Sequence, residues 1–268
     1  PAPVLRRALD RLPPQHKEGL DQGLDSPDDA AVLSPPPGKA LIQTVDQFRA
    51  FIDDPYLFGK IAANHALGDI FAMGAEPQSA LAIATLPYGI ESKVEDTLRQ
   101  MMLGAMEILA DANTALVGGH TSEGAELSLG FALSGLIDAD AILRKGGMRP
   151  GDVLIISKAI GTGTLFAADM RHKARGRWIS AALDSMVQSN RTGAQCLYEH
   201  GATSCTDVTG FGLLGHLVEM VKASAVDVEL DLKAIPYMDG AIETVAMGIT
   251  SSLQPQNLRL RRAVKNLD

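Results

Sequence analysis

The chain has 268 residues, 46% of them apolar but only 4% aromatic, and carries a net charge of −8. That length suits one large domain or two ordinary ones, with a core of Ala, Leu, Ile, Val and Met of the kind that packs helix against sheet. The acidic balance argues against a general nucleic-acid role, while a divalent cation could still bridge the chain to a polyanion such as ATP.

Residues 1–27 are polar and proline-punctuated around a short helix candidate at 4–12, and Pro35-Pro36-Pro37-Gly38 reads as a turn. ALIQTVDQF (40–48) reads as a strand, with Asp46 near its end. Asp53-Asp54-Pro55 marks a helix start, and the apolar stripe that follows carries the helix to about Met73, with Gly74 as its stop. SALAIATLP (79–87) is a buried strand. Residues 92–112 form a second helix, for which Ser92 and Glu95 have capping-box spacing. TALVGGH (114–120) and LSLGFALSGLI (127–137) complete a β-α-β-α-β-β order, an α+β half with its sheet covered on one face.

RKGGMRPGD (144–152), rich in Gly and charge, is the best domain boundary. Beyond it DVLIISK (152–158) opens a second half, GTGTLFAADM (161–170) reads as a helix after a Gly-rich turn, and 179–200 and 210–223 as two more helices. VDVELDL (226–232) alternates apolar and acidic residues as a half-exposed strand should. The last segment, LRLRRAVK (258–265), is basic. The expected organisation is a lead-in over 1–27, one domain over 28–147 and a second over 148–268. No repeat of 20–50 residues is present.

No run approaches 18 consecutive apolar residues and no basic-then-apolar leader opens the chain, so no membrane partner is expected. Cys196 and Cys205 form no C-x-x-C and read as reduced thiols of a cytoplasmic protein. A chain that opens on Pro1 rather than Met is expected to be a fragment, a processed form or an engineered chain.

Three carboxylates stand in apolar surroundings poor in Lys and Arg. Asp29 lies in SPDDAAVL, Asp69 in HALGDIFAMG, and Asp207 in TDVTGFGLLGHL. An ionised carboxylate there is costly unless it is paired or bound to a metal. A shared Mg²⁺ would relieve all three, because that ion takes carboxylate, water and phosphate oxygens together. Helix capping is the alternative for Asp207, and a turn for Asp29. Asp69 lies mid-helix, where His65, four residues earlier on the same face, could pair with it. GGHT (118–121), following a strand, and GTGT (161–164), preceding a helix, are turns whose backbone N–H groups could face phosphate. Neither contains a P-loop or a G-x-G-x-x-G, and no H-E-x-x-H zinc motif occurs.

DDAAV (28–32), TVDQF (44–48), IAANHALGDIFAMGAEP (61–77), GGHT (118–121), PGDVLIISKAIGTG (150–163) and TDVTGFGLLGHL (206–217) occur in one order. Together they resemble the selenophosphate synthetase (selenide, water dikinase) family, within the aminoimidazole-ribotide synthetase-like superfamily. The resemblance spans most of 28–240.

It implies an α+β, two-domain aminoimidazole-ribotide synthetase-like fold: an N-terminal dimerisation domain of sheet plus helices, which joins two sheets into a barrel, and a C-terminal α/β sandwich, incomplete here. It implies a reaction in which ATP, selenide and water give selenophosphate, AMP and phosphate, with Mg²⁺ holding the nucleotide near the interface of a homodimer. Asp29, Asp69 and Asp207 match the family's metal ligands. Ser26, Pro27, Asp28, Asp46 and Asp69 match nucleotide contacts, and Gly118, Gly119, His120 and Thr121 match the stretch that reaches an ATP of the neighbouring subunit.

The family's nucleophilic Cys and the Lys shortly after it have no match, so no catalytic residue is assigned and this chain alone is expected not to complete turnover. His65 stands where the family usually has Asn, and the family's late proline-threonine-glycine-glycine segment is absent. In some relatives this domain follows a flavin-dependent oxidoreductase, and Pro1 is compatible with a cut after such a partner. The alternatives are another ATP-using superfamily member, of the thiamine-phosphate kinase or ribotide synthetase type, or an inactive regulatory homologue.

Overall fold

The structure is a computed structural model that describes Arg7 and residues 11–13, 20–22, 32–33 and 36–265. The helix candidate at 4–12 and the stretch that holds Ser26, Pro27, Asp28 and Asp29 lie almost wholly, and in the second case entirely, outside those residues. The chain divides into two compact units, Pro1–Ile142 and Leu143–Asp268.

In the first unit two short strands, β1 (Leu20–Gln22) and β2 (Val32–Leu33), pair antiparallel. The main sheet contains β3 (Lys39–Arg49), β4 (Glu76–Pro87), β5 (Ala115–Gly124) and β6 (Ser128–Asp138), in the order β3-β6-β4-β5. β6 is antiparallel to both its neighbours, whereas β4 and β5 are parallel. A parallel pair needs a long crossover, and helix α2 (Glu91–Asp111) provides it. Helix α1 (Pro55–Ala72) joins β3 to β4. This is the β-α-β-α-β-β order read from the sequence.

Helix α1 starts where Asp54 accepts a hydrogen bond from the Leu57 N–H at 2.9 Å, with Pro55 in the first turn. It ends at Met73, and Gly74 takes the left-handed conformation (φ 74°) that stops it. Helix α2 departs from expectation, because Ile90 occupies the cap position and no side chain caps it. Glu95, expected to close a capping box with Ser92, is drawn into ion pairs with Arg7 (2.8 Å) and Arg11 (3.0 Å). A carboxylate is better satisfied by two guanidinium groups than by one backbone N–H.

The core lies between the two helices and one face of the sheet. Phe58, Leu67 and Ile70 of α1 and Leu129 and Phe131 of β6 are wholly removed from water, each contributing about 1.5–3 kcal/mol. The helices touch backbone to backbone. A Cβ on Gly59 would sit 1.9 Å from the Met101 carbonyl oxygen, and one on Gly104 would sit 1.9 Å from that of Tyr56. The other sheet face is open and carries Leu41 (53% exposed), Val45 (62%) and Leu81 (42%).

The second unit is built from α3 (Thr162–Asp169), α4 (Gly176–Val187), α5 (Arg191–Glu199), α6 (Gly212–Ser224), α7 (Ala241–Ala246), α8 (Gln254–Asn257) and a 3₁₀ turn at Leu258–Ala263. The single helix expected over 179–200 is two. Gln188 turns extended (ψ 121°), and the Ser189 hydroxyl then accepts the Arg191 N–H at 3.1 Å, because Ser and Asn compete for backbone groups and favour helix ends. The strand expected at 226–232 does not form among the described residues, and 152–158 forms none either. The nearest pairing is an isolated parallel bridge, Ile160 to Tyr237. Alternation marks a segment that can pair, but a strand exists only when a neighbour satisfies its backbone. No helix among the described residues is long and apolar enough to cross a membrane.

Candidate functional site

Between Ile61 and Phe71, helix α1 is buried at every position except His65 and Asp69. These two stand four residues apart and thus lie on one face, about 6 Å apart along the axis. On β3, alternate residues Thr44 and Asp46 share the face turned to the helix, about 6.8 Å apart. The two spacings nearly match, and the chain uses the match twice. The Thr44 hydroxyl donates to Asp69 Oδ2 at 2.5 Å, and His65 Nε2 lies 2.7 Å from Asp46 Oδ2.

The i,i+4 partnership expected between His65 and Asp69 is therefore replaced by two contacts between sheet and helix. An antiparallel strand-and-helix register brings unlike groups together more directly than the helix surface does. The hydrogen bond from His65 holds the Asp46 carboxyl below the ordinary carboxylate range, against partial burial, which acts the other way. Phe48 packs edge-on to the His65 ring, with centroids 5.1 Å apart, and Phe58 packs edge-on to Phe48 at 5.6 Å. The imidazole is thus fixed by an aromatic wall as well as by its carboxylate.

Sequence reasoning placed Asp46 and Asp69 at the site but gave no part to Thr44 and paired His65 with the wrong acid. The signal was present in TVDQF, since period-2 alternation puts Thr44 and Asp46 on one face.

Gly118, Gly119, His120 and Thr121 are not in a turn. They lie within β5, an outer strand of the sheet, and pair with Leu81 to Ala84 of β4. Gly119 has φ +156°, and a Cβ there would sit 2.1 Å from the Ala82 carbonyl oxygen, so a bare α-carbon lets β5 close on β4. His120 is exposed and Thr121 half-buried. The side of β5 away from β4 is the edge of the sheet, where backbone groups are open to a ligand or another chain.

Asp207 belongs to the second unit and is half-buried in the irregular stretch that leads into α6. It does not cap that helix: Phe211 holds the cap position, and no side chain makes a cap bond. The loop is moored by His216, which is buried and accepts the Thr209 N–H on Nε2 at 3.1 Å. Burial, and secondarily the Asp207 charge, raise the neighbouring Cys205 thiol, which disfavours its thiolate form.

Among the described residues no group of three His, Cys, Asp or Glu side chains is placed to hold a metal ion. Asp29, the third acid expected there, lies outside them, as do Ser26, Pro27 and Asp28. Asp69 offers hard oxygen donors, with Oδ2 oriented by Thr44. That chemistry fits Mg²⁺ and not a soft metal.

Comparison with known proteins matches residues 27–137 to the family described as AIR synthase related protein, N-terminal domain, and residues 149–253 to its C-terminal domain. The selenide, water dikinase of Nitratidesulfovibrio vulgaris strain Hildenborough is 40% identical over 255 residues, covering 91% of this chain and 70% of that protein. The selenide, water dikinase of Clostridioides difficile strain 630 is 38% identical over 256 residues, covering 95% of this chain and 73% of the relative. Among solved structures, a thiamine-monophosphate kinase from Stenotrophomonas maltophilia superposes with a TM-score of 0.73 at 20% identity, over 98% of this chain and 88% of the other. The hydrogenase maturation protein HypE superposes with a TM-score of 0.71 at 20% identity, over 91% and 82%. At that identity the structures establish the shared α+β fold and nothing more.

Proposed function

This chain belongs to the selenide, water dikinase family, and from that premise we propose that it serves the ATP-dependent phosphorylation of selenide to selenophosphate, with AMP and phosphate as the other products. The single observation that carries the reading within the fold is the paired geometry of β3 and α1. It holds two carboxylates, Asp46 and Asp69, by Thr44 and His65 on an otherwise buried face.

Asp69 and Asp207, with Asp29, would hold Mg²⁺, and Asp46 would contact the nucleotide together with Ser26, Pro27 and Asp28. When bound, the cation supplies charge neutralisation for the triphosphate and its leaving groups. The protein's own part is positional. Thr44 fixes the Asp69 carboxylate, and His216 fixes the loop that presents Asp207.

The exposed apolar residues Leu41, Val45 and Leu81 support a homodimer formed through the open sheet face, which would bring the Gly118–Gly119–His120–Thr121 edge toward a neighbouring subunit's nucleotide. The two free cysteines, Cys196 exposed and Cys205 half-buried, support a cytoplasmic setting. The family's Cys-then-Lys segment is not among the 268 residues, whose only cysteines are Cys196 and Cys205. The part of the reaction proposed for these residues is nucleotide and metal binding.

Thermal unfolding with Mg·ATP, alone and with candidate acceptors, tests this reading. Saturating Mg·ATP stabilises the fold by about 2–3 kcal/mol at a hundredfold excess over Kd, and thiamine phosphate or a ribotide adds nothing. Acceptor-dependent formation of ADP from ATP with either compound, or no effect of Mg·ATP, would overturn it.

A further inference from the structure

A carboxylate that faces a triphosphate repels it unless its own charge is offset. Asp46 has that problem, and the cations nearest in sequence do not solve it. Lys39 is committed to Asp138 at 2.8 Å, Arg49 to Glu126 at 2.6 Å, and Lys60 to Glu107 at 2.7 Å. Segments 40–48 and 61–77 contain no Lys or Arg. Among the described residues, His65 Nε2 reaches Asp46 at 2.7 Å, from a ring that Phe48 holds edge-on. An imidazole donates from Nε2 either as the cation or as one of its two neutral tautomers.

We propose that His65 is a positioning residue for recognition of the magnesium-complexed nucleoside triphosphate: its Nε2–H fixes the Asp46 carboxylate in one orientation and offsets part of its charge, so that Asp46 can face the ligand. This rests on the nucleotide-binding reading above and adds to it a residue with no ligand contact of its own. The geometry explains why the role falls to position 65. Asp46 and Thr44 are one strand repeat apart, His65 and Asp69 one helical turn apart, and Thr44 already occupies Asp69. The two contacts lock the strand and the helix in a single register. A donor placed one residue away on α1 would point to another face.

Equilibrium dialysis with labelled ATP and Mg²⁺ tests the proposal on the unmodified protein, His65→Phe, His65→Gln, Asp46→Asn and the Phe–Asn double variant, with the unfolding temperature measured alongside. Phe keeps the packing against Phe48 and removes the donor, whereas Gln restores an N–H at a similar reach. We expect His65→Phe to bind about tenfold more weakly, since a hydrogen bond to a charged group is lost, and His65→Gln to recover most of that loss. The double variant is expected to be no weaker than Asp46→Asn alone, because the His acts through the Asp. Unchanged affinity in His65→Phe, or losses that add in the double variant, would overturn the proposal while leaving the nucleotide reading intact. If His65→Phe does not fold, a tenfold loss in folded His65→Gln overturns it and near-native affinity supports it. Absence of Mg·ATP binding by the unmodified protein would overturn both.

Discussion

The two units spend similar sequence patterns in opposite ways. In the first, every predicted strand between Lys39 and Asp138 finds a neighbour, and the sheet they form presses Leu129 and Phe131 against α1. In the second, the apolar run of DVLIISK and the alternation of VDVELDL form no ladder among the described residues. Val153 stands 83% exposed and Ile155 70%. The difference shows how the proposed site residues are held. Asp69 and Asp46 sit on elements fixed along their whole length, with a dedicated partner each. Asp207 sits on an irregular loop tied at separate points: the Cys205 N–H to the Arg144 carbonyl at 3.0 Å, the Thr209 N–H to His216 at 3.1 Å, and the Gly210 carbonyl to Asn257 at 3.1 Å.

The largest effect expected from this contrast is at the helix contact of the first unit. Gly104→Ala puts a methyl 1.9 Å from the Tyr56 carbonyl oxygen, so the helices must part. We predict a loss of about 3 kcal/mol, after the small gain Ala brings to a helix, seen as a fall of about 6–12 °C in the unfolding temperature. The smallest is its counterpart in the second unit, where Val153→Thr should change stability by no more than about 0.5 kcal/mol in urea unfolding. A large loss at Val153 would mean that the segment is buried in solution and that the contrast between the units is false. A neutral Gly104→Ala would mean that the helices are not in backbone contact.

Much of the first unit could be read directly from the sequence. The Asp54-Pro55 start and Gly74 stop of α1 are local signals, and local signals survive folding. Asp69 was also legible, as a charged residue in an apolar run, and Asp46 through the family resemblance of TVDQF. The contacts between them were not. Thr44 meets Asp69 only because the β3 and α1 registers match, and register is a property of packing. The Gly118–Thr121 stretch misled for a related reason. Two glycines resemble a turn, whereas here Gly119 permits a close strand-to-strand approach. The capping box at Ser92 failed because Arg7 and Arg11, more than eighty residues away, compete for Glu95. In the second unit, alternation at 226–232 reported the capacity to pair, not the presence of a partner.

The central proposal is that binding of magnesium-complexed ATP depends on Asp69 and on Asp207. Isothermal titration calorimetry of ATP with and without Mg²⁺, on the unmodified protein and on Asp69→Asn and Asp207→Asn, tests it most directly. The account predicts binding that requires Mg²⁺ and an affinity at least about tenfold weaker in each variant, with both variants folded. Full Mg²⁺-dependent affinity in either variant would contradict it.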